Sequence, residues 1–327
     1  RLAARASERG VDDVARVAVI GAGSWGTSVS WLLGGKGHEV TMWAREPQIA
    51  ERINASHHNP LYMREIVLPD SVTASPDIEV ALRGAEAVVM VTPSIGVRST
   101  AVSMAPHLSD ATPVIVLSKG VEEGTLMLMT EVLEDVLGHR ERLAGLSGPN
   151  HAEEVGHGIP SATVVAAYDE AVGRLFQDLF ATRFFRVYTN SDVTGVELAG
   201  ASKNVIAVAA GMSDGLGYGD NTKATLMTRG LAEMSRLGHA MGANPLTFMG
   251  LAGVGDLIAT CTSKNSRNRA LGEFVGRGGT LEGWRASTDM VAEGAYACIA
   301  VENMATREGV EMPITRQVRA VLYEGMP

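Results

Sequence analysis

Cysteine is scarce in this chain: two in 327 residues, Cys261 and Cys298. That is too few for a disulfide scaffold, and the two lie too far apart for a metal-ligand cluster, so a reducing compartment and no metal site are expected. An excess of basic residues is missing as well. Lys and Arg total 28 against 37 Asp and Glu, a formal net charge of −9. This disfavours a nucleic-acid partner, because such binding rests on many Lys and Arg contacts to phosphates; any phosphate the chain holds must be gripped by a local site. The third scarcity is of long apolar runs. None reaches the roughly 18 residues that a membrane span needs, and the opening RLAARASERG lacks the hydrophobic core of a secretory signal. A cytoplasmic protein without a membrane span is expected.

Hydrophobic residues make up 46% and charged residues 20%, the balance of a chain that folds rather than stays disordered. Its length suggests two domains, since single cores stop growing at about 250–300 residues. Residues 1–14 mix charge with small side chains and read as a flexible leader. A β-branched run at Val17–Ile20 is then followed by GAGSWG and by the apolar-periodic TSVSWLLGGKG, a strand, a loop and a helix. HEVTMWAR, AEAVVMVTPS, TPVIVLSKG, RLAGLSGPN, ATVVAAY and FRVYTN supply further strands, with helical segments such as TLMLMTEVLEDVLG between them. Alternation of this kind indicates a parallel sheet.

Near Asp192 the texture changes to long helical patterns: VTGVELAGASKNVIAVAAGM, TKATLMTRGLAEMSRLGHAMG and SRNRALGEFVGRG, the last opening on a capping serine. The fold class is therefore α/β, an N-terminal Rossmann-type doubly wound sheet followed by an all-helical C-terminal domain. The expected division is a dinucleotide-binding domain over 15–190 and a helical substrate-binding and catalytic domain over 191–327, with the site in the cleft between them.

Gly21, Gly23 and Gly26 form G-x-G-x-x-G after a strand and at the opening of a helix. Glycines suit that place because the turn is tight, the backbone must approach a pyrophosphate, and the helix must pack closely on the strand. The helix start offers unpaired N–H groups to the phosphates. The second strand ends not in an acidic residue but in Arg45, with Glu46 after it. An arginine there can grip a 2′-phosphate with two N–H groups, pointing to NADP(H) with NAD(H) tolerated; a solvated strand-end charge is the alternative.

Lys119, in VLSKG, falls at the carboxyl end of an expected strand, the edge where doubly wound sheets hold ligands. There it either reaches a substrate oxygen or faces solvent. Lys203 lies in a helix of small and aliphatic residues, GASKNVIAVAAG. A charged head in such a helix costs several kcal/mol unless it is paired or functional, or unless it snorkels to the surface. Helical spacing puts Glu197, Gly200, Ala201, Asn204 and Val208 near one stripe with Lys203 on its flank, and Gly200 and Ala201 would admit another group close to the backbone. Nicotinamide chemistry on a carbonyl needs one group to exchange a proton with the reacting oxygen, and a lysine can do this. Two ammonium groups near one oxygen would depress each other's pKa. Further on, LAGVGDLIATCTSKNSRNRALG brings a glycine-rich loop, Asp256, and then Ser266, Arg267 and Asn268 at a helix start. That is either an anion site or a capped surface helix.

Taken together, GAGSWGT, VLSKG, SGPNHAEE, VELAGASKN, GVGDLIATC, NSRN and VAEG resemble the bacterial-type NAD(P)-dependent glycerol-3-phosphate dehydrogenases, in matching order across nearly the whole chain after the leader. Members interconvert dihydroxyacetone phosphate and sn-glycerol 3-phosphate, the backbone precursor of phospholipids. By resemblance, Lys203 matches the proton acceptor and Lys119 the second lysine, which binds substrate and lies by the cofactor. Gly148, Asn150, Asp256, Ser266, Arg267 and Asn268 match substrate contacts. Ser24, Trp25, Arg45, Tyr62, Ala152, Arg267, Val291 and Glu293 match cofactor contacts beside the three glycines, although for Tyr62 and Val291 the residues alone suggest simple packing. Relatives carry Ser or Thr where Asn150 stands, so any such contact here would pass through an amide. A homodimer is expected. Two rival readings remain: a related β-hydroxyacid or ketopantoate-type dehydrogenase, which would hold a carboxylate, and a non-catalytic dinucleotide-binding sensor, which would need the glycine loop but not both lysines.

Overall fold

The structure, a computed structural model, describes residues 14–288 and 291–327. The expected leader, apart from exposed Val14, lies outside the described residues. Eight strands form one sheet: β1 (Arg16–Ile20), β2 (Glu39–Trp43), β3 (Val72–Ser75), β4 (Ala87–Met90), β5 (Val114–Val116), β6 (Leu143–Ser147), β7 (Ser161–Ala167) and β8 (Phe185–Asn190). Their order is β3-β2-β1-β4-β5-β6-β7-β8. The pairs β2·β3, β1·β2, β1·β4, β4·β5, β5·β6 and β7·β8 are parallel; Val17, for example, lies opposite Val40 on one side and Ala87 on the other. The order reverses at β1, so the loop leaving β1 opens at the switch point where doubly wound sheets hold ligands. AVVM of β4 and VIV of β5 are buried at every position, as expected of parallel strands covered on both faces.

Two local expectations fail. Sequence patterning missed β3, because VTAS is short and carries a single large apolar residue, Val72. The segment TLMLMTEVLEDVLG is not helical throughout; the helix covers only Met129–Leu137. Ahead of it, Val121 and Leu128 form an antiparallel bridge, Leu126 takes a left-handed backbone (φ 60°), and Glu122 and Met127 are hydrogen-bonded through their backbones. The physical reason is packing. Val121 and Leu128 enter the core of one compact unit while Met129–Leu137 belongs to the other, so the chain breaks between them instead of continuing one helix.

The chain divides into two compact units. The first comprises residues 14–118, Met129–Leu146 and Asn150–Val193. Its core includes Val19, Leu33, Met42, Ile53, Phe176, Phe180 and Phe185, with helices such as Ser24–Gly35 and Glu170–Phe180 packed around the sheet. The second comprises Lys119–Leu128, Ser147–Pro149 and Thr194–Pro327. Two short excursions from the strand-rich half, one carrying Lys119 and the other Gly148, thus belong to the helical unit.

At the centre of that unit runs the helix Val193–Gly215, buried at every position from Val196 to Val208. A helix apolar all round is a core helix, and small residues let its neighbours come close. A Cβ on Gly272 would lie 1.9 Å from the Val208 carbonyl oxygen, so only glycine lets the helix Arg267–Gly276 pack at this distance. Among the described residues, the stretch long and apolar enough to suggest a membrane span is Pro245–Thr262. It consists of a short helix to Phe248, a separate π-turn at Leu251–Gly255 and a further helix from buried Asp256. Such a broken segment would leave backbone groups unsatisfied in lipid.

Candidate active site

In the first unit, β1 ends at Ile20 and the glycine loop leads straight into the helix Ser24–Gly35. Gly21 has φ +128°, which side chains rarely adopt, and a Cβ there would lie 3.0 Å from the Val91 carbonyl oxygen. On Gly26 a Cβ would lie 2.0 Å from the Gly21 carbonyl oxygen. Gly23 differs: a Cβ there would meet nothing within 4 Å, and as the residue before the helix it provides no side-chain cap. Two glycines therefore serve close packing, while the third keeps open the space above an uncapped helix start. This arrangement fits a pyrophosphate.

The other expected cofactor residues of this unit are spread around the loop. Ser24 opens the helix, and Trp25 packs against the sheet core. Ala152 opens the helix Ala152–Gly156, and its carbonyl accepts the Ser28 hydroxyl (2.8 Å). Arg45 is exposed just beyond β2, where Glu46 accepts from it at 2.9 Å. Tyr62 is partly exposed, and its backbone N–H donates to the side chain of Asn59 (3.1 Å). Asn150 donates its side-chain N–H to Thr163 Oγ1 at 2.7 Å, a contact that steadies the turn after β6.

In the second unit a buried ionic cluster forms. Asp256 opens the helix Asp256–Thr262 and is 2% exposed; Lys203 is 5% exposed. Lys203 Nζ donates to Asp256 Oδ1 (2.5 Å) and to Thr260 Oγ1 (2.6 Å). Lys119 Nζ donates to the other carboxylate oxygen, Oδ2 (2.7 Å), and to the Gly148 carbonyl (3.1 Å). Thr260 and Ser147 also donate to Asp256, at 3.2 and 3.5 Å. The close approach expected at Gly200 is present: a Cβ there would fall 2.7 Å from Ser147 Oγ and 3.5 Å from the Lys119 side chain. Lys203 thus does not snorkel.

Burial is the main cause that pulls the Lys203 pKa down to about 8; Asp256 opposes the shift and Lys119 reinforces it. For Asp256, burial pushes the pKa up, but the ammoniums of Lys119 and Lys203 outweigh it and hold the carboxyl below the usual range. Burial raises the neighbouring thiol of Cys261 to about 12, leaving it inert.

The same helix that carries Lys203 braces the expected anion site. Asn204 Oδ1 accepts from Asn268 Nδ2 (2.9 Å), and Asn268 Oδ1 accepts the Gly294 N–H (2.8 Å). Asn268 therefore ties three helices together as well as standing beside exposed Arg267 at the helix start. Ser266 is the N-cap, its hydroxyl accepting from the Arg269 N–H (3.2 Å). Glu293 opens the helix Glu293–Arg307, and Val291 lines a cavity of about 140 Å³ with Leu271, Trp284 and Tyr296.

Of the expected residues, Lys119, Gly148, Lys203 and Asp256 come together in one cluster, and Ser266, Arg267, Asn268 and Glu293 gather around the Asn204 bridge. Sequence reasoning missed Thr260, Ser147 and Asn59. Thr260 was findable, since it stands one helical turn after Asp256; Asn59 carried no local signal. Among the described residues no group of His, Cys, Asp and Glu is arranged to hold a metal.

Known proteins resemble the chain along nearly its whole length. Residues 16–173 match the N-terminal family of NAD-dependent glycerol-3-phosphate dehydrogenase, and residues 192–327 match the C-terminal one. The chain is 51% identical over 311 residues to the glycerol-3-phosphate dehydrogenase [NAD(P)+] of Streptomyces griseus, covering 95% of this chain and 93% of that protein. It is 47% identical over 310 residues to one of two such enzymes from Salinibacter ruber, covering 94% and 91%. The crystal structure of glycerol-3-phosphate dehydrogenase from Coxiella burnetii superposes with a TM-score of 0.92 at 35% identity, covering 96% of each chain. A non-catalytic sensor is thereby set aside. The chain belongs to the NAD-dependent glycerol-3-phosphate dehydrogenase family and is an NAD(P)-dependent oxidoreductase.

Proposed function

We propose that the chain interconverts dihydroxyacetone phosphate and sn-glycerol 3-phosphate, with Lys203 as proton donor and acceptor, and so feeds glycerophospholipid synthesis. What carries this reading is the single buried carboxylate of Asp256 gripping the ammoniums of Lys203 and Lys119, one on each oxygen. When bound, the nicotinamide supplies or takes the hydride at C2.

The chain's own residues do the rest. With a pKa near 8, Lys203 can hold a proton and yet release it near neutral pH, as a general acid must. In reduction it gives that proton to the oxygen on C2; in oxidation it removes it. Asp256 and Thr260 fix the direction in which Nζ points. Lys119, held by Asp256 and Gly148, stabilises negative charge developing on the same oxygen. Arg267, the Ser266-capped helix start and Asn268 anchor the phosphate, so that binding energy remote from C2 positions the ketone. The β-hydroxyacid and ketopantoate enzymes must hold a carboxylate instead, whereas an arginine, a capped helix start and a neutral amide together suit the several oxygens of a phosphate. In the first unit the glycine loop receives the pyrophosphate, and Arg45 can turn from Glu46 to a 2′-phosphate, favouring NADP(H) while NAD(H) remains accepted. The chain would work in the cytoplasm as a homodimer.

The test is a set of initial rates with dihydroxyacetone phosphate against NADPH and NADH, with ketopantoate as the rival substrate. Oxidation of either cofactor with dihydroxyacetone phosphate and none with ketopantoate is expected. The reverse pattern would remove the substrate assignment.

A further inference from the structure

Resting on the dinucleotide reading of the glycine loop, we propose that Asn59 is a positioning residue that presets this loop for the cofactor's pyrophosphate. Asn59 is fully buried, in a segment after the helix Pro47–Ser56 that has no regular structure of its own. Its side chain makes four hydrogen bonds. Nδ2 donates to the Ala22 carbonyl (2.8 Å) and to Thr27 Oγ1 (2.9 Å); Oδ1 accepts the backbone N–H groups of Leu61 and Tyr62 (3.1 Å each). Two donors and two acceptor positions are the whole capacity of a primary amide, so its orientation is fixed by its partners. A buried side chain satisfied at every position holds both segments it touches.

What it holds is the direction of the loop's peptide units. In a trans peptide the C=O and the following N–H point opposite ways. Asn59 draws the Ala22 carbonyl towards itself, so the Gly23 N–H points away from it. The Gly23 carbonyl accepts both the Thr27 backbone N–H (2.9 Å) and the Thr27 hydroxyl (2.9 Å), which is itself an acceptor from Asn59. That turns the Ser24 N–H outward in the same manner. Two successive N–H groups are thus aimed outward at the start of a helix lacking a side-chain cap, where a Cβ on Gly23 would meet nothing within 4 Å. Outward-facing N–H groups at a helix start are what a phosphate binds. The same amide docks the segment bearing Tyr62 against the loop, so both sides of this cofactor site depend on one side chain.

The chemistry of the amide is specific. An Asn59→Asp side chain keeps the shape and can still accept from Leu61 and Tyr62, but it sets a carboxylate oxygen against the Ala22 carbonyl and places negative charge beneath the phosphate. Thr27→Val removes the bridging hydroxyl at nearly constant volume. NADPH binding to the full chain would be measured by titration, alongside KM and kcat and a melting curve. For Asn59→Asp the Kd and KM for NADPH are expected to rise at least about tenfold, as for a lost charge-sensitive hydrogen bond, with kcat at saturating NADPH changing far less. For Thr27→Val a rise of about threefold is expected, the smaller loss of one neutral hydrogen bond.

A residue that serves stability alone would lower the melting temperature and leave the NADPH Kd of the folded protein unchanged; that result would overturn the proposal. If Asn59→Asp does not fold, Thr27→Val decides by itself, an unchanged Kd again overturning it. Should the unaltered chain bind neither NADPH nor NADH, the dinucleotide reading beneath the proposal falls instead, and the two failures are told apart by that control.

Discussion

The glycine loop and the lysine–aspartate cluster were built in opposite ways. The loop is a contiguous stretch, Gly21 to Gly26, whose shape follows largely from local backbone geometry: a positive φ, a contact only glycine tolerates, and an open helix start. The cluster draws Lys119, Ser147, Gly148, Lys203, Asp256 and Thr260 from four separate stretches, and its key pairs lie 53 and 137 residues apart in the chain. The local site has no room for an added carbon at Gly21 or Gly26, and Asn59 is its brace from outside the stretch. An assembled site depends on the mutual desolvation of its charges, so removing one partner alters all the others.

Ways to break or sharpen this contrast run from large effects to small. Lys203→Ala should lower kcat by about 100-fold to 10,000-fold, the range of a lost general acid, while NADPH affinity measured by titration stays near that of the unaltered chain. Comparable loss of cofactor binding would mean that the two sites are not separable. Asp256→Ala should destabilise the fold by about 3–5 kcal/mol, because it leaves Lys203 buried without its carboxylate; chemical denaturation would read this, and an unchanged midpoint would contradict the cluster's burial.

For the loop, Gly26→Ala places a Cβ against the Gly21 carbonyl; it should cost about 1–3 kcal/mol of stability through overpacking, read by chemical denaturation, and weaken NADPH binding with little change in the pH profile. That profile belongs to the cluster. Lys203 keeps its proton below its pKa of about 8 and loses it above. Reduction needs the proton, so kcat/KM for dihydroxyacetone phosphate should fall as pH rises through about 8, while glycerol 3-phosphate oxidation rises over the same interval. A reduction rate that stays flat to pH 10 would exclude Lys203 as the donor. The smallest effect is expected at exposed Arg45: Arg45→Ala should reduce the preference for NADPH over NADH by about tenfold, the worth of one charge-assisted contact, read as a ratio of the two kcat/KM values.

Legibility followed the same divide. The strands of the first unit were readable because VAVI, AVVM and VIV are buried on both faces and so lack polar interruptions. VTAS was not, having too little apolar surface to announce itself. TLMLM misled because Leu126 and Leu128 serve the second unit's core rather than the helix that follows. Lys203 stood out as a charge in a greasy helix, and Asp256 as an acid after a glycine-rich loop, but their pairing and the part of Thr260 were not visible. Asn268 was legible as a donor at a helix start, though not as the link from Asn204 to Gly294. Asn59, among histidines and a proline, gave no signal at all.

By itself the sequence determined the alternation of strands and helices, the turn after β1 and the presence of an odd lysine in an apolar helix, since each of these follows from periodicity or steric limits within a few residues. Only the tertiary structure decided that this lysine would be desolvated against Asp256 with a second ammonium on the same carboxylate. It also decided that an asparagine beyond the second strand would orient the glycine loop. Desolvation and hydrogen-bond direction are set by which distant segments fill the space around a group, and that is a property of packing.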